Sequence, residues 1–468
     1  MINEPFFDAR RTVQDLTQGS IPKHIIRIAL PMAAGMLFQT FYYFIDLYFV
    51  SRLGDTAIAG VSAAGNVQFI IMALTQILGV GTMVLISHAA GRKDRDDANL
   101  VFNQSVLLAL ACAIATFVAG FALSETYLRA VAADAATVAA GKAYLWAYTP
   151  GLALQFALVV MGSALRGTGI AKPTMIVQIL TVVINAILAP VLIAGWITHR
   201  PLGVAGAGWA SSIAILVGVL MLLWYFVSLE TFVGFHPSML KPRLVVWMRV
   251  LKIGLPAGGE FALMFVNMAT TYWIIRSFGA EAQAGYGIGS RVMQAIFLPA
   301  MALSFAAAPV AGQNVGAGRQ DRAAETFRSA ALLGTVLMFA LTLLCQWRAD
   351  LLVKLFAHDP AAIAVGTQFL HIISWNFVAT GIIFTCSGMF QALGNTIPSL
   401  VSSTVRVLTF ALPAIWLSTR VGFELRQLWI LSVCTVILQT VVSLLLLRNE
   451  FRRKLRVASP PAGVPVGA

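Results

Sequence analysis

Twelve long apolar stretches make up most of this 468-residue chain, and they restrict its fold more than any other feature. An α-helix needs about 20 apolar residues to cross the hydrocarbon core of a bilayer. Only 11% of the residues are charged, whereas soluble domains average about 25%. We therefore predict an all-α membrane protein with twelve transmembrane helices. The predicted spans are residues 25–50, 59–87, 99–123, 138–163, 173–195, 203–228, 250–276, 283–312, 326–347, 363–390, 398–419 and 427–447.

The basic residues of the loops lie mainly on one side of these spans. Because twelve is an even number, both termini lie on the same side, and that side carries the Arg92-Lys93 loop and the basic run of residues 448–456. Lys and Arg concentrate in cytoplasmic loops. We expect both termini to be cytoplasmic, so the net charge of +13 indicates topology and not nucleic-acid binding.

The second half of the chain repeats the first at an offset of 225 residues, which separates Pro31 from Pro256. Each half has six predicted spans, so the repeats run parallel and are related by an axis along the membrane normal. We predict two six-helix lobes around a central cleft. Other pairs at this offset are Gly54 with Gly279, Gly91 with Gly316, Asp96 with Asp321, Phe102 with Phe327 and Pro173 with Pro398.

The repeat also predicts the domain boundaries. Residues 1–22 form a cytoplasmic N-terminal segment, 23–229 the N-lobe, 230–249 a cytoplasmic inter-lobe loop, and 250–448 the C-lobe. A basic and then disordered tail covers residues 449–468. Pro31 and Pro256 interrupt the first span of each lobe and are hinge candidates, although a static kink in a packed bundle is the equal alternative.

The sequence has no catalytic motif. It has no HExxH, Walker or GxSxG pattern, and its four cysteines fall inside apolar spans without metal-ligand spacing. Together with the absence of a predicted soluble domain, this predicts a protein that is not an enzyme and has no cofactor or resident metal.

Several motifs resemble the multidrug and toxic compound extrusion (MATE) family. They are Leu30-Pro31-Met32 with Asp46 and Leu53-Gly54, the segment 166–169 (RGTG), the segment 287–291 (GIGSR), the segment 312–317 (GQNVGA) and the segment 391–395 (QALGN). The resemblance implies a monomeric, two-lobed exporter of drugs and organic cations in the bacterial inner membrane. It also implies that inward H⁺ or Na⁺ flow drives export, and that membrane lipids are its surroundings. A flippase for a lipid-linked substrate, from the wider superfamily, is the alternative.

Only two acidic residues, Asp46 and Glu260, lie well inside predicted spans. A charged side chain in a span is costly and marks a functional site by default. Gln39 and Tyr42 or Tyr43 precede Asp46 at helical spacing, so they share its face and predict a polar stripe on the substrate cleft.

The resemblance implies partners for Asp46. Asn185 in span 5 and Ser211 in span 6 match positions of the family's cation or proton site, and Gln178 lies two turns before Asn185 on the same face. Many members have a second acid where this chain has Ala189. The missing carboxylate favours H⁺ coupling, although a Na⁺ ion held by Asp46 and Asn185 stays open.

Glu260 is the acid of the second half, and Met264 and Asn267 continue its face. The family's seventh-span glutamate falls about one turn later, at Met264. The role of Glu260 therefore stays open between attracting a cationic substrate, titrating as a second coupling group and pairing with Arg291 or Arg406. Because the repeat counterparts of the two acids are uncharged, we hypothesise that the N-lobe has the main coupling site.

Overall fold

The structure is a computed structural model that describes residues 14–131, 134–196, 199, 201–230, 232–355 and 359–458, without the side chains of 41–47 and 455–458. The described residues form helices and connecting turns, as predicted. The α-helices are α1 (Ile21–Ser51), α2 (Asp55–Arg92), α3 (Arg95–Val131), α4 (Ala135–Gly167), α5 (Lys172–Ile193), α6 (Val204–Ser228), α7 (Leu244–Ile275), α8 (Ala280–Gly316), α9 (Gln320–Lys354), α10 (Pro360–Ile373), α11 (Phe377–Ala392), α12 (Ile397–Ser418) and α13 (Leu425–Ala458).

Twelve helical segments of the described chain are long and apolar enough to cross a membrane, which confirms the predicted spans. Most are single α-helices, although the seventh continues from α7 into a 3-10 turn at Arg276–Phe278, and α9 is kinked at Arg348. The tenth consists of α10 and α11, joined by a 3-10 turn at Ser374–Asn376. The seventh span was predicted to begin at residue 250, whereas α7 begins at Leu244.

The 225-residue repeat is present in the backbone. Helix α5 covers Lys172–Ile193 and α12 covers Ile397–Ser418, which are the same positions in the two halves. Positive φ angles recur at the same offset as well: 99° at Gly54 and 92° at Gly279, and 85° at Gly169 and 73° at Gly394. The two predicted six-helix repeats are thus confirmed by helix bounds and turn geometry.

Helical hydrogen bonding is disturbed at two positions that correspond in the repeat, one in α4 and one in the tenth span. The hydroxyl of Ser212 in α6 donates to Ala147 O of α4 (2.7 Å) and accepts from Gly151 N of α4 (3.1 Å), on either side of Pro150. A side chain inserted into the helical hydrogen-bond ladder in this way is a recognised cause of a bend.

In the second half the equivalent position is the 3-10 turn at Ser374–Asn376, although no proline lies there. Gln346 of α9 donates to His371 O and to Ser374 Oγ, both at 2.7 Å, and Thr342 donates to Ser374 O at 3.0 Å. These bonds satisfy carbonyls that the break releases, as backbone inside a membrane requires. The sequence did not predict this break, because the side chains that bond to the freed carbonyls, Thr342 and Gln346, lie on another helix.

The chain divides into two compact units, and two of the boundaries between them fall inside helices α1 and α7. One unit contains the described residues up to Gln18 and Arg27–Gly258, and the other contains Gly19–Ile26 and the described residues from Gly259 onward. In α7 the division lies two residues after Pro256. The first half of α7 therefore belongs to the unit that contains α2 to α6.

The linker between α6 and α7 is bound to the start of α3 inside the first unit. Three buried amide side chains of α3, Asn99, Asn103 and Gln104, bond to linker backbone. Asn99 and Asn103 accept from the amides of Gly234 (2.7 Å) and His236 (3.0 Å). Gln104 donates to Met239 O (2.6 Å) and Lys241 O (2.7 Å) and accepts from Arg243 N (2.8 Å).

Replacing Gln104 with alanine is expected to expose this linker to proteolysis. The change leaves two carbonyls and one amide without their partner, at a cost of about 1–3 kcal/mol for each group that stays buried. Cleavage by trypsin after Arg243 should accelerate about tenfold, measured by gel on the purified chain. Gln427→Ala, at an exposed position of α13, is the matched control. Equal cleavage rates in the two variants would contradict a restraining role for Gln104.

Candidate functional site

Asp46 lies on helical backbone near the end of α1. Its side chain, and those of Tyr42 and Tyr43, fall outside the described part of the structure, so the predicted contacts of these three residues stay predictions. The site is therefore built from the neighbours that the structure does describe.

The structure brings together the two predicted partners of Asp46. Asn185 of α5 is 1% exposed and Ser211 of α6 is 0% exposed, and Asn185 Nδ2 donates to Ser211 Oγ at 3.2 Å. Asn185 Oδ1 is buried and has no hydrogen-bond partner among the described residues. An unpaired buried carbonyl oxygen costs about 1–3 kcal/mol. It is an acceptor suited to a protonated carboxyl group or to a small cation.

The substrate-stripe residues of α1 and α5 also meet. Gln178 Nε2 donates to Gln39 Oε1 at 3.0 Å, and Gln39 is exposed. The Gln178 amide occupies the space that a Cβ at Gly35 would need, so this glycine lets the amide lie against α1. Two turns separate Gln178 from Asn185, about 10 Å along α5. The first unit therefore has polar groups at two depths of one helix.

A third polar cluster in the first unit was missed at the sequence level. Tyr148 of α4 donates to Gln68 Oε1 of α2 at 2.9 Å, and Gln155 Nε2 donates to the Tyr148 hydroxyl at 3.2 Å. The three residues lie in two spans, and Gln68 and Gln155 are 87 residues apart. No spacing rule connects residues on different helices, so only the fold reveals this cluster.

In the second unit Glu260 of α7 is held by two serine hydroxyls. Ser387 of α11 and Ser399 of α12 donate to Glu260 Oε2 at 2.9 and 2.7 Å, and the two serine oxygens are 3.1 Å apart. No ion pair joins Glu260 to Arg291 or Arg406 in the described chain. One carboxylate and two hydroxyls form a group that can hold a proton or contribute three oxygens to a cation.

Beyond Glu260, the same face of α7 continues with Met264 and Asn267. Met264 is 50% exposed, and Asn267 Oδ1 is buried without a hydrogen-bond partner in the described chain. Asn267 O accepts from the hydroxyl of Thr271, the repeat counterpart of Asp46, at 2.9 Å. Sequence reasoning found Glu260, Met264 and Asn267 but missed Ser387 and Ser399, because serines in spans are common and carry no spacing signal.

Comparison with known proteins gives one family. The MatE family model matches residues 31–191 and 256–417, and the two segments begin at the two first-span prolines. The probable multidrug resistance protein YpnP of Bacillus subtilis (strain 168) is 26% identical over 435 residues, which cover 91% of this chain and 96% of YpnP. The multidrug export protein MepA of Staphylococcus haemolyticus (strain JCSC1435) is 27% identical over 394 residues, which cover 83% of this chain and 86% of MepA.

Among solved structures, the crystal structure of MATE in the bent conformation superposes with a TM-score of 0.89. Sequence identity is 23%, and the match covers 95% of this chain and 98% of the other. At this identity the superposition establishes the fold alone.

Proposed function

Because this chain belongs to the MatE family, we propose that it is a secondary active antiporter that exports drugs and organic cations in exchange for H⁺. The protein is a transporter and not an enzyme, like its multidrug resistance and multidrug export relatives. The observation that carries the proposal is the family match in both halves, since the repeat gives the chain the two lobes that alternating access requires.

We propose that Asp46, Asn185 and Ser211 form the main coupling site. The bond between Asn185 and Ser211 and the open acceptor Asn185 Oδ1 support it. Ala189 is fully buried on the same helix and contributes no oxygen ligand from its side chain, which favours H⁺ over Na⁺. Glu260 is the second coupling group, and its bonds to Ser387 and Ser399 support that role.

For the substrate, we propose a route past side chains of α1, α5 and α7. Its residues are Gln39, Tyr42, Tyr43, Gln178, Met264 and Asn267, and the bond between Gln39 and Gln178 supports it. Pro31 and Pro256 are proposed as the bending points. The protein acts as a monomer among the lipids of the bacterial inner membrane, with both termini in the cytoplasm.

The proposed coupling is tested with a fluorescent cationic dye in cells that lack their own dye exporters. An imposed pH gradient, acid outside, is expected to drive efflux in cells expressing the chain, whereas an imposed Na⁺ gradient alone is not. Efflux driven by the Na⁺ gradient alone would contradict H⁺ coupling and indicate Na⁺ as the coupling ion. Efflux under neither gradient would overturn the export proposal and favour the lipid-linked flippase.

A further inference from the structure

The last turns of α13 contain a dense run of basic residues. Residues 448–456 (RNEFRRKLR) include five arginines or lysines and one acid. The repeat counterpart of this segment is the end of α6 and the start of the loop after it, residues 223–231 (LWYFVSLET), which has no basic residue. The repeated fold therefore does not require these cations, and they need an explanation of their own.

The exposed side of α13 changes from apolar to basic along one continuous stripe. Val441 and Leu444 are exposed apolar side chains in the spanning part of the helix. Arg448 and Arg452 follow at intervals of four residues, so they continue the same stripe, and both are exposed. Arg453 beside them is exposed as well. These three arginines, called the basic face below, thus adjoin the apolar surface that α13 presents to lipid.

The opposite side of these turns is packed inside the second unit. Leu447 belongs to a buried cluster with residues of α8 and α11, and Phe451 packs against that cluster. The amide of Gln320, the first residue of α9, donates to Lys454 O at 3.3 Å. Glu450, the only acid of the run, is buried and does not lie on the basic face. Packing therefore fixes the direction in which the arginines point.

The basic face has no acidic partner among the described residues. None of its three arginines forms an ion pair or a hydrogen bond with a carboxylate there. Other exposed arginines at helix ends do have partners, since Arg129 binds Glu125 at 2.6 Å and Arg276 lies over the Trp273 ring. Like charges four residues apart on a helix destabilise it, so an anion between them would be stabilising.

The length of α13 places the basic face at the depth of lipid phosphates. Residues 428–447 have no charged side chain and span about 30 Å, which is the thickness of the hydrocarbon core. The headgroup layer adds about 5–7 Å on each side. Arg448 and Arg452 lie one and five residues past this stretch, about 2 and 8 Å along the helix. Their guanidinium groups therefore lie in or at the edge of the headgroup layer.

We propose that the basic face of α13 binds the phosphate of an anionic phospholipid, whose acyl chains lie along the exposed apolar stripe of the same helix. Arginine bonds phosphate oxygens in bidentate geometry, and one phosphate between Arg448 and Arg452 would neutralise their repulsion. Basic clusters directly after a transmembrane helix bind anionic lipids. This partner goes beyond the proposed export function, because its binding depends on neither the substrate nor the coupling ion.

The test measures lipid binding to the purified full chain in detergent by native mass spectrometry. Dioleoyl phosphatidylglycerol is the anionic lipid, and dioleoyl phosphatidylcholine is the zwitterionic comparison. We expect the double variant Arg448→Gln/Arg452→Gln to weaken phosphatidylglycerol binding about tenfold and to leave phosphatidylcholine binding within about twofold. Arg448→Lys/Arg452→Lys keeps both charges but not the planar fork, so it should lose less affinity than the glutamine variant.

Arg276→Gln/Arg420→Gln is the matched control, because it removes two exposed arginines of the same unit at the opposite ends of the spans. These arginines lie over the rings of Trp273 and Trp416, 5.0 and 4.3 Å from the centroids. The control should bind phosphatidylglycerol like the parent chain. Equal weakening in the two glutamine variants, or an equal loss for both lipids, would overturn the proposal. A monodisperse elution profile of each variant excludes misfolding as the cause of a loss.

A second arm distinguishes a membrane lipid from a soluble anion. Inorganic phosphate and glycerol 3-phosphate, which lack acyl chains, are added as competitors of phosphatidylglycerol. We expect neither to displace the lipid, because the apolar stripe contributes to its binding. Displacement by either competitor at concentrations similar to that of the lipid would show a site for soluble phosphates and overturn the lipid proposal. Since no ion gradient is applied, failure of dye export would leave these results unchanged.

Discussion

Replacing Asp46 with asparagine is expected to abolish gradient-driven export, with at least a tenfold loss of dye efflux. Asparagine has nearly the same size and still forms hydrogen bonds, but it neither releases a proton nor carries a charge. In a span, such a group is the part of the protein that responds to the ion gradient. Efflux under an imposed pH gradient is the measurement, and dye binding to the purified variant should be retained.

Glu260→Gln is the matched control, because it makes the same chemical change in the second unit. Glutamine keeps an oxygen that accepts from Ser387 and Ser399, so the local structure should persist. We expect this variant to keep a measurable part of the gradient-driven efflux. Full efflux in Asp46→Asn together with loss in Glu260→Gln would contradict our hypothesis that the main coupling site is in the N-lobe.

The repeat was predictable because single residues mark it, and each of these residues is required by the backbone conformation at its own position. Gly54 and Gly279 adopt positive φ angles that favour glycine, and such positions show in a single sequence. The break in the tenth span was not predictable in this way. In α4 the matching position is Pro150, a residue that marks a helix break in the sequence, whereas the tenth span has Trp375 there. The carbonyl of His371 that this break frees accepts a hydrogen bond from Gln346, which lies on another helix.

The candidate site likewise contains contacts that the sequence predicted and contacts that it did not. Gln39 and Gln178 were predicted from helical spacing, and Asn185 and Ser211 from the family resemblance, and each pair is joined by a hydrogen bond in the structure. The serines around Glu260 were not predicted, since Ser399 is 139 residues away and nothing in its neighbourhood distinguishes it. Contacts between helices depend on packing, which a periodic pattern does not encode.

Replacing Gly254 with alanine is expected to destabilise the first unit by about 2–3 kcal/mol. In that unit α7 crosses α2 with almost no space between the backbones. A Cβ at Gly254 would lie 2.7 Å from the carbonyl carbon of Ile77, and a Cβ at Gly81 would lie 2.8 Å from Val250 Cγ1. These residues form reciprocal pairs four positions apart on each helix, which is the small-residue contact that packs helices in membranes.

The contact is with backbone, so no side-chain rotation relieves the clash at Gly254. Overpacking of this kind costs about 1–3 kcal/mol or more, and in a domain of 150–250 residues each kcal/mol lowers the melting temperature by about 2–4 °C. We therefore expect the melting temperature of the purified Gly254→Ala variant to fall by at least about 5 °C, measured by thermal challenge and size-exclusion chromatography.

Gly259→Ala, five residues later in α7, is the control that separates packing from helix propensity. A Cβ there would meet only the end of the Leu400 side chain, at 3.1 Å, and that side chain can rotate away. Because alanine favours a helix over glycine by about 1 kcal/mol, this variant should be as stable as the parent or more stable. If the two variants had equal melting temperatures, the close crossing of α7 and α2 would not be what stabilises the first unit.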